Sequence, residues 1–148
     1  MSTYSLISIV IPVFNEEDNL EELIDRCLNV CRSLDKPFEI IIVDDGSNDN
    51  GKYIINQSVK DNNNEIVGIF LNKNYGQHAA IMAGFSELKG DICITLDADL
   101  QNPPEEIPKL INKIDEGFDV VGCVRIKRSD SIFRRIASSI INKFIQTS

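Results

Sequence analysis

Five short runs in this chain are rich in β-branched residues and lack the polar–apolar alternation of a half-solvated strand: LISIVIPV (6–13), FEIIIV (38–43), IVGIFL (66–71), DICITL (91–96) and DVVGCV (119–124). Strands of that kind are covered on both faces, which means a mostly parallel sheet wrapped by helices. The segments between them carry the matching period. In NEEDNLEELIDRCLNVCRSL, Leu20, Leu23, Ile24, Cys27, Leu28, Cys31 and Leu34 recur at helical spacing. Ile107, Leu110, Ile111 and Ile114 form a second stripe within 104–116, and helices are also predicted over 50–60 and 76–88. Asn15 is the expected N-cap of the first helix, with acids behind it at the positive end of the dipole. Five β units joined by four right-handed crossovers give an α/β, Rossmann-like, doubly wound domain.

Ligands of such sheets bind beyond the carboxyl ends of the strands. The segments that follow the five strands are PVFNEE, DDGSND, NKNYGQH, DADLQNPP and RIKR, so every unusual stretch of the chain falls on one edge. Asp97 and Asp99 are two apart on a chain expected to be extended, so their side chains should leave on the same side. Paired hard oxygens suit Mg²⁺ or Mn²⁺; the alternative is that these acids cap the helix ahead of Pro103 and Pro104. Asp44 and Asp45 precede Gly46, and one carboxylate there either accepts hydrogen bonds from a ribose or base or belongs to an ordinary Asp–Gly turn. Of Pro12, Phe14 and Glu16, which follow the first strand, Phe14 can wall a base, while Glu16 can also serve only the helix dipole. His78, the sole histidine, is more readily a cap or packing residue than a catalyst. Arg125, after the fifth strand, can clamp a diphosphate beside the acidic pair; Arg128 either does the same or is solvated.

Charge divides the chain. The net charge is −8, but from Arg125 onward there are six bases and one acid, +5, which leaves −13 on residues 1–124. An acidic body argues against nucleic acid as a partner. No run approaches the ~20 apolar residues of a membrane span, and the start lacks the order of a signal peptide. The four cysteines, Cys27, Cys31, Cys93 and Cys123, form no metal-type cluster and are expected to be small core hydrophobes in a reducing compartment.

IPVFNEEDNL, VDDGSND and LDADLQNPPEE, in this order and spacing, resemble family 2 glycosyltransferases of the GT-A fold. More narrowly they resemble the polyprenyl-phosphate glycosyltransferases, the group that includes dolichol-phosphate mannose synthase. LNKNYGQHAAIMAGF and DVVGCVRIKRSDSIFRRIASSIINKFIQ extend the likeness, toward the members that build the lipid-linked sugar used to modify lipid A. The resemblance implies nucleotide contacts at Pro12, Phe14, Glu16, Val43 and Asp45. Asp97, Ala98 and Asp99 match the DxD segment that holds metal and donor diphosphate, with Gln101 close behind and Arg125 matching a phosphate-binding arginine. Arg134 and Ser138 match an arginine and a serine that meet the acceptor phosphate. Phe14 stands where a tyrosine is common, keeping the ring and losing a hydroxyl.

The implied activity is metal-dependent, inverting transfer of a sugar from a nucleotide sugar, UDP-linked by preference, to undecaprenyl phosphate. The implied setting is the cytoplasmic face of the bacterial inner membrane, against an anionic lipid surface. Residues 1–124 would be the nucleotide-sugar-binding core. Residues 125–148 would begin an acceptor and membrane-interface region that family members continue further, so the chain is expected to be a truncated, N-terminal part. Whether it forms a homo-oligomer is left open. Two other classes also place acids at strand ends or bind nucleotides: phosphoryl-transfer domains of the aspartyl-phosphate type and non-catalytic nucleotide-binding modules.

Overall fold

The computed structural model describes residues 4–123. The elements run β1 (Ile7–Val13), α1 (Glu17–Arg32), β2 (Phe38–Asp44), α2 (Gly51–Asp61), β3 (Ile66–Phe70), α3 (Gln77–Glu87) and β4 (Ile92–Thr95), then a 3₁₀ turn (Pro104–Glu106) and α4 (Ile107–Asp115). The strands form one sheet in the order β3-β2-β1-β4, and every pairing is parallel. Ile7 lies opposite Phe38 and Ile92, and Ile40 opposite Ile66.

The missing polar alternation is explained by what lies on each face. Ile9, Ile11, Ile40 and Ile42 pack on one side against Leu20, Leu23, Ile24 and Cys27 of α1, Ile55 of α2, and Ile107 and Ile111 of α4. The intervening Val10, Ile41 and Val43 point the other way, into a second cluster with Ala80 of α3. Burying each of these side chains contributes about 1.5–3 kcal/mol, and a polar residue at any of them would lie in an interior. One exception is a closed network at the amino ends of the strands. Ser8 donates to Glu39 at 2.6 Å, and the backbone N–H of Lys89 donates to the same carboxylate oxygen at 2.7 Å. The Gly90 N–H in turn donates to the Ser8 hydroxyl at 2.8 Å. With every member partnered, the buried acid is tolerated and ties the entry of β4 to β1 and β2.

Four expectations from the sequence are corrected. Residues 119–123 are not a strand: they have no regular secondary structure, and Val120 is 89% exposed. Apolar, β-branched composition favours a strand only where a neighbouring ladder receives it. Cys93 and Cys123 are exposed rather than in the core, Cys93 because β4 is the outer strand of the described sheet. Asn15 does not cap α1; Glu16 holds the N-cap position without a side-chain cap bond. Asn15 instead adopts a positive φ of 53° and bridges to the next loop, donating its N–H to Ser47 Oγ at 3.0 Å and accepting from the Asn48 N–H at 2.9 Å. Finally, β4 stops at Thr95, so Asp97 and Asp99 stand in a turn and not on extended chain.

Candidate functional site

The carboxyl ends of β1, β2 and β4 open into one cleft of ≈ 350 Å³. The first strand's exit supplies Pro12, Val13, Phe14 and Glu16, and the second supplies Asp45. Asn74, Gly76 and Gln77 come from the loop before α3, and Asp97, Ala98 and Asp99 from the turn after β4. Four of the five predicted edge segments therefore contribute residues to one cleft. RIKR lies outside the described residues, and with it Arg125 and Arg128; Arg134 and Ser138 lie outside them too.

Each lining residue is held for a local reason. Phe14 is 41% exposed, a large apolar ring left facing the cleft by the bend that ends β1. Glu16 accepts from the Asn19 side-chain amide at 2.8 Å, one turn into α1. Asp45 is only 2% exposed, and its two oxygens accept from the backbone N–H groups of Tyr75 and Gly76, each at 2.8 Å. It thus pins the 72–76 loop across the end of β2 while lining the cleft. Gly46 makes that crossing possible: its φ is +72°, and a Cβ there would lie 2.6 Å from the Asn74 nitrogen. Its neighbour Asp44 is fully buried, accepts from the Ser47 N–H and lies 3.7 Å from the Lys52 ammonium, which makes it part of the Asp–Gly turn.

The acidic turn is built with equal care. Asp97 accepts from the Gln77 side-chain amide at 2.8 Å through one oxygen and from the Asn102 amide at 3.2 Å through the other. Asp99 accepts from the Gln101 N–H at 3.0 Å, a bond that closes the turn where Leu100 takes a φ of 57°. Glu105, the third acid of this stretch, is turned away from the cleft. Arg26 of α1 forks onto it at 2.9 and 2.7 Å and holds its carboxyl down to about 2.

Among the described residues no group of three or more His, Cys, Asp or Glu side chains could enclose a metal ion. Two carboxylates lining an open cleft suit a Mg²⁺ or Mn²⁺ ion, which takes one or two carboxylates and fills its other positions with water and ligand phosphate. Asp97 and Asp99 fit that role.

Two predicted contacts do not line the cleft. Val43 is buried in the core beneath it, and Gln101 is exposed beside it. His78 is exposed in the first turn of α3, also outside the lining. Besides Val13, which sits between two predicted contacts, the lining residues that sequence reasoning missed are Asn74, Gly76 and Gln77. Their segment follows the third strand at the expected edge, and the usable signal within it is Gly76 immediately ahead of a helix at the sheet's carboxyl edge.

A family model described as Glycosyl transferase family 2 matches residues 8–147. Among solved structures, a mannosyltransferase from Pyrobaculum calidifontis in complex with GDP-Man and Mn²⁺ superposes with a TM-score of 0.64 at 20% identity, over 80% of this chain and 35% of that one. Glucosyl-3-phosphoglycerate synthase from Mycobacterium tuberculosis, in complex with Mn²⁺, UDP and glucosyl-3-phosphoglycerate, gives 0.58 at 26% identity, over 74% and 39%. S. aureus TarS in complex with UDP gives 0.58 at 21%, over 84% and 39%. The chain thus spans well under half the length of these structures.

Proposed function

Since this chain belongs to glycosyltransferase family 2, we propose that it is the donor-binding part of an enzyme that transfers a sugar, with inversion, from a UDP-linked donor to undecaprenyl phosphate. The observation that carries the reading is the meeting of Phe14, Asp45, Asp97 and Asp99 around one cleft. Its volume lies in the range of small-molecule sites, about 300–1,000 Å³. In this reading the Phe14 ring walls the base and Asp45, already fixed by two backbone donors, accepts from the ribose or base. Asp97 and Asp99 would hold Mn²⁺ or Mg²⁺. Such an ion, when bound, offsets the negative charge that grows on a departing diphosphate. Arg125 would share that task from the segment beyond the described residues. The complexes with Mn²⁺ and UDP or GDP-Man among the similar structures support the donor class.

The acceptor half of the proposal rests on sequence. The 71–85 and 119–146 runs resemble undecaprenyl-phosphate 4-deoxy-4-formamido-L-arabinose transferase, and Arg134 and Ser138 would meet the acceptor phosphate. A lipid phosphate with a second pKa near ~6 is already ionised at neutral pH, so no general base is required and direct attack inverts the anomeric carbon. The apolar and basic residues of 131–146 would lie on an anionic membrane surface. Among the described residues no helix is long and apolar enough to cross a membrane.

Calorimetric titration with UDP tests the donor assignment. UDP is expected to bind more tightly with Mn²⁺ than in excess chelator, and Asp99→Ala to remove most of that difference. Equal affinity under both conditions in the wild-type chain overturns the metal assignment.

A further inference from the structure

Gln77 is an exposed residue in the first turn of α3, yet its side chain meets Asp97, twenty positions further along the sequence. Its Nε2 donates to Asp97 Oδ1 at 2.8 Å, while Asn102 Nδ2 donates to Oδ2 at 3.2 Å. Both donors are neutral amides. They fix the plane and direction of the carboxylate.

The position of Gln77 is itself determined. The residue just before it is Gly76, whose N–H is held, with that of Tyr75, by the Asp45 carboxylate. One continuous set of bonds therefore runs from Asp45 at the end of β2, through the backbone of the loop, to Asp97 after β4. It spans the cleft from the side proposed for the nucleoside to the side proposed for the diphosphate and its cation.

We propose that Gln77 is a positioning residue: its amide sets the Asp97 carboxylate in the orientation that receives a divalent cation together with a diphosphate. The inference rests on the donor-site reading above and adds to it a residue that acts through Asp97. Partners that orient a ligating carboxylate typically change metal affinity by about 10–100-fold when removed. Gln77→Met keeps the length and the apolar stem and deletes the two N–H donors.

The experiment compares wild type, Gln77→Met and Asn102→Ala in the full 148-residue chain, titrating UDP with and without MnCl₂, and uridine without metal. The electron paramagnetic resonance spectrum of Mn²⁺ bound with UDP is recorded for each. Gln77→Met is expected to weaken Mn²⁺-dependent UDP binding at least tenfold and to change the Mn²⁺ spectrum, with uridine affinity and thermal midpoint unchanged. Asn102→Ala should shift the same two quantities in the same direction. A Gln77→Met chain that matches wild type in UDP affinity and in the Mn²⁺ spectrum overturns the proposal while leaving the donor site standing. Equal loss of uridine and UDP binding also overturns it, because Gln77 would then be supporting the loop as a whole. A wild-type chain whose UDP affinity ignores Mn²⁺ removes the donor-site reading, and this inference falls with it.

Discussion

Gly46→Ala should damage the cleft without replacing any residue that lines it. Two costs can be worked out. The backbone at Gly46 has φ +72°, and holding a residue with a Cβ in the left-handed region costs about 1–2 kcal/mol. The new methyl group would also stand 2.6 Å from the Asn74 nitrogen and from the Lys73 Cα, where ordinary contact begins near 3.4 Å. The Lys73 carbonyl carbon would stand closer still, so the 72–76 loop must retreat by at least about 0.8 Å. Passed on undiminished, that displacement stretches the 2.8 Å bonds from Tyr75 and Gly76 to Asp45 to at least about 3.6 Å, past the limit of a hydrogen bond. Each bond to a charged group contributes about 1.5–3 kcal/mol, and water refills part of the loss at this partly exposed loop. The total expected is about 3–5 kcal/mol, a large share of the 5–15 kcal/mol typical of a domain.

Urea denaturation gives the stability, and the amide resonances of Tyr75 and Gly76 report the two bonds directly. Gly117→Ala is the control: its φ is +100°, but nothing lies within 4 Å of the added Cβ, so it bears the backbone strain alone. Gly46→Ala should also bind uridine more weakly, because Asn74 and Gly76 move with the loop. A Gly46→Ala chain no less stable than Gly117→Ala, with both amide resonances in place, would refute the reasoning.

Asp45→Ala is expected to weaken uridine and UDP alike, since it removes the acceptor proposed for the nucleoside and also frees the loop; a loss confined to UDP would move Asp45 to the diphosphate. The Arg26–Glu105 fork makes an acid-sensitive joint between α1 and the turn before α4. Because the folded-state pKa of Glu105 is depressed from 4.5 to about 2, its contribution is present above pH 4.5 and is lost as pH falls toward 2. Arg26→Met should flatten the fall in stability over that window, as read by urea midpoints at stepped pH, and leave the neutral-to-alkaline range unshaped. For 131–146, anionic liposomes should retain the chain better than neutral ones, with each base contributing about 1 kcal/mol, screened by salt. The Arg134→Ala, Arg135→Ala double variant should lose the preference, and equal retention by both liposome types counts against the membrane proposal.

The sheet was legible because burial on both faces leaves a direct mark on composition. Ile9 and Val10 face opposite clusters, and both must be apolar. The edge on which the site lies followed from parallel topology alone. What sequence could not give was the partner of each polar side chain. VDDG reads as a turn or as a ligand site, and the structure makes Asp44 the turn and Asp45 a loop anchor on the cleft wall. Asn15 looked like a cap because its type and position suit one, but Ser47 and Asn48 compete for it across 32 and 33 positions of sequence. Gln77 carried no mark at all, since its partner is set by how α3 sits beside β4. The 119–124 run misled in the opposite way, having the residues of a strand with no ladder beside its described part.

Cys27 and Cys31 sit on the buried face of α1, and burial pushes each thiol up to about 12. Neither can be alkylated at neutral pH until α1 leaves the sheet, because the reactive thiolate is scarce and the sulfur is enclosed. Exposed Cys93, in the same chain, supplies an internal standard for reagent and time. Labelling speed then measures how often that helix opens. The segment that carries Phe14 and Glu16 leads directly into α1, so the opening that bares these sulfurs also takes apart the cleft. Any molecule held there must slow alkylation by a factor of one plus its concentration over its Kd, which turns two inert thiols into a gauge of occupancy that needs neither turnover nor a labelled ligand.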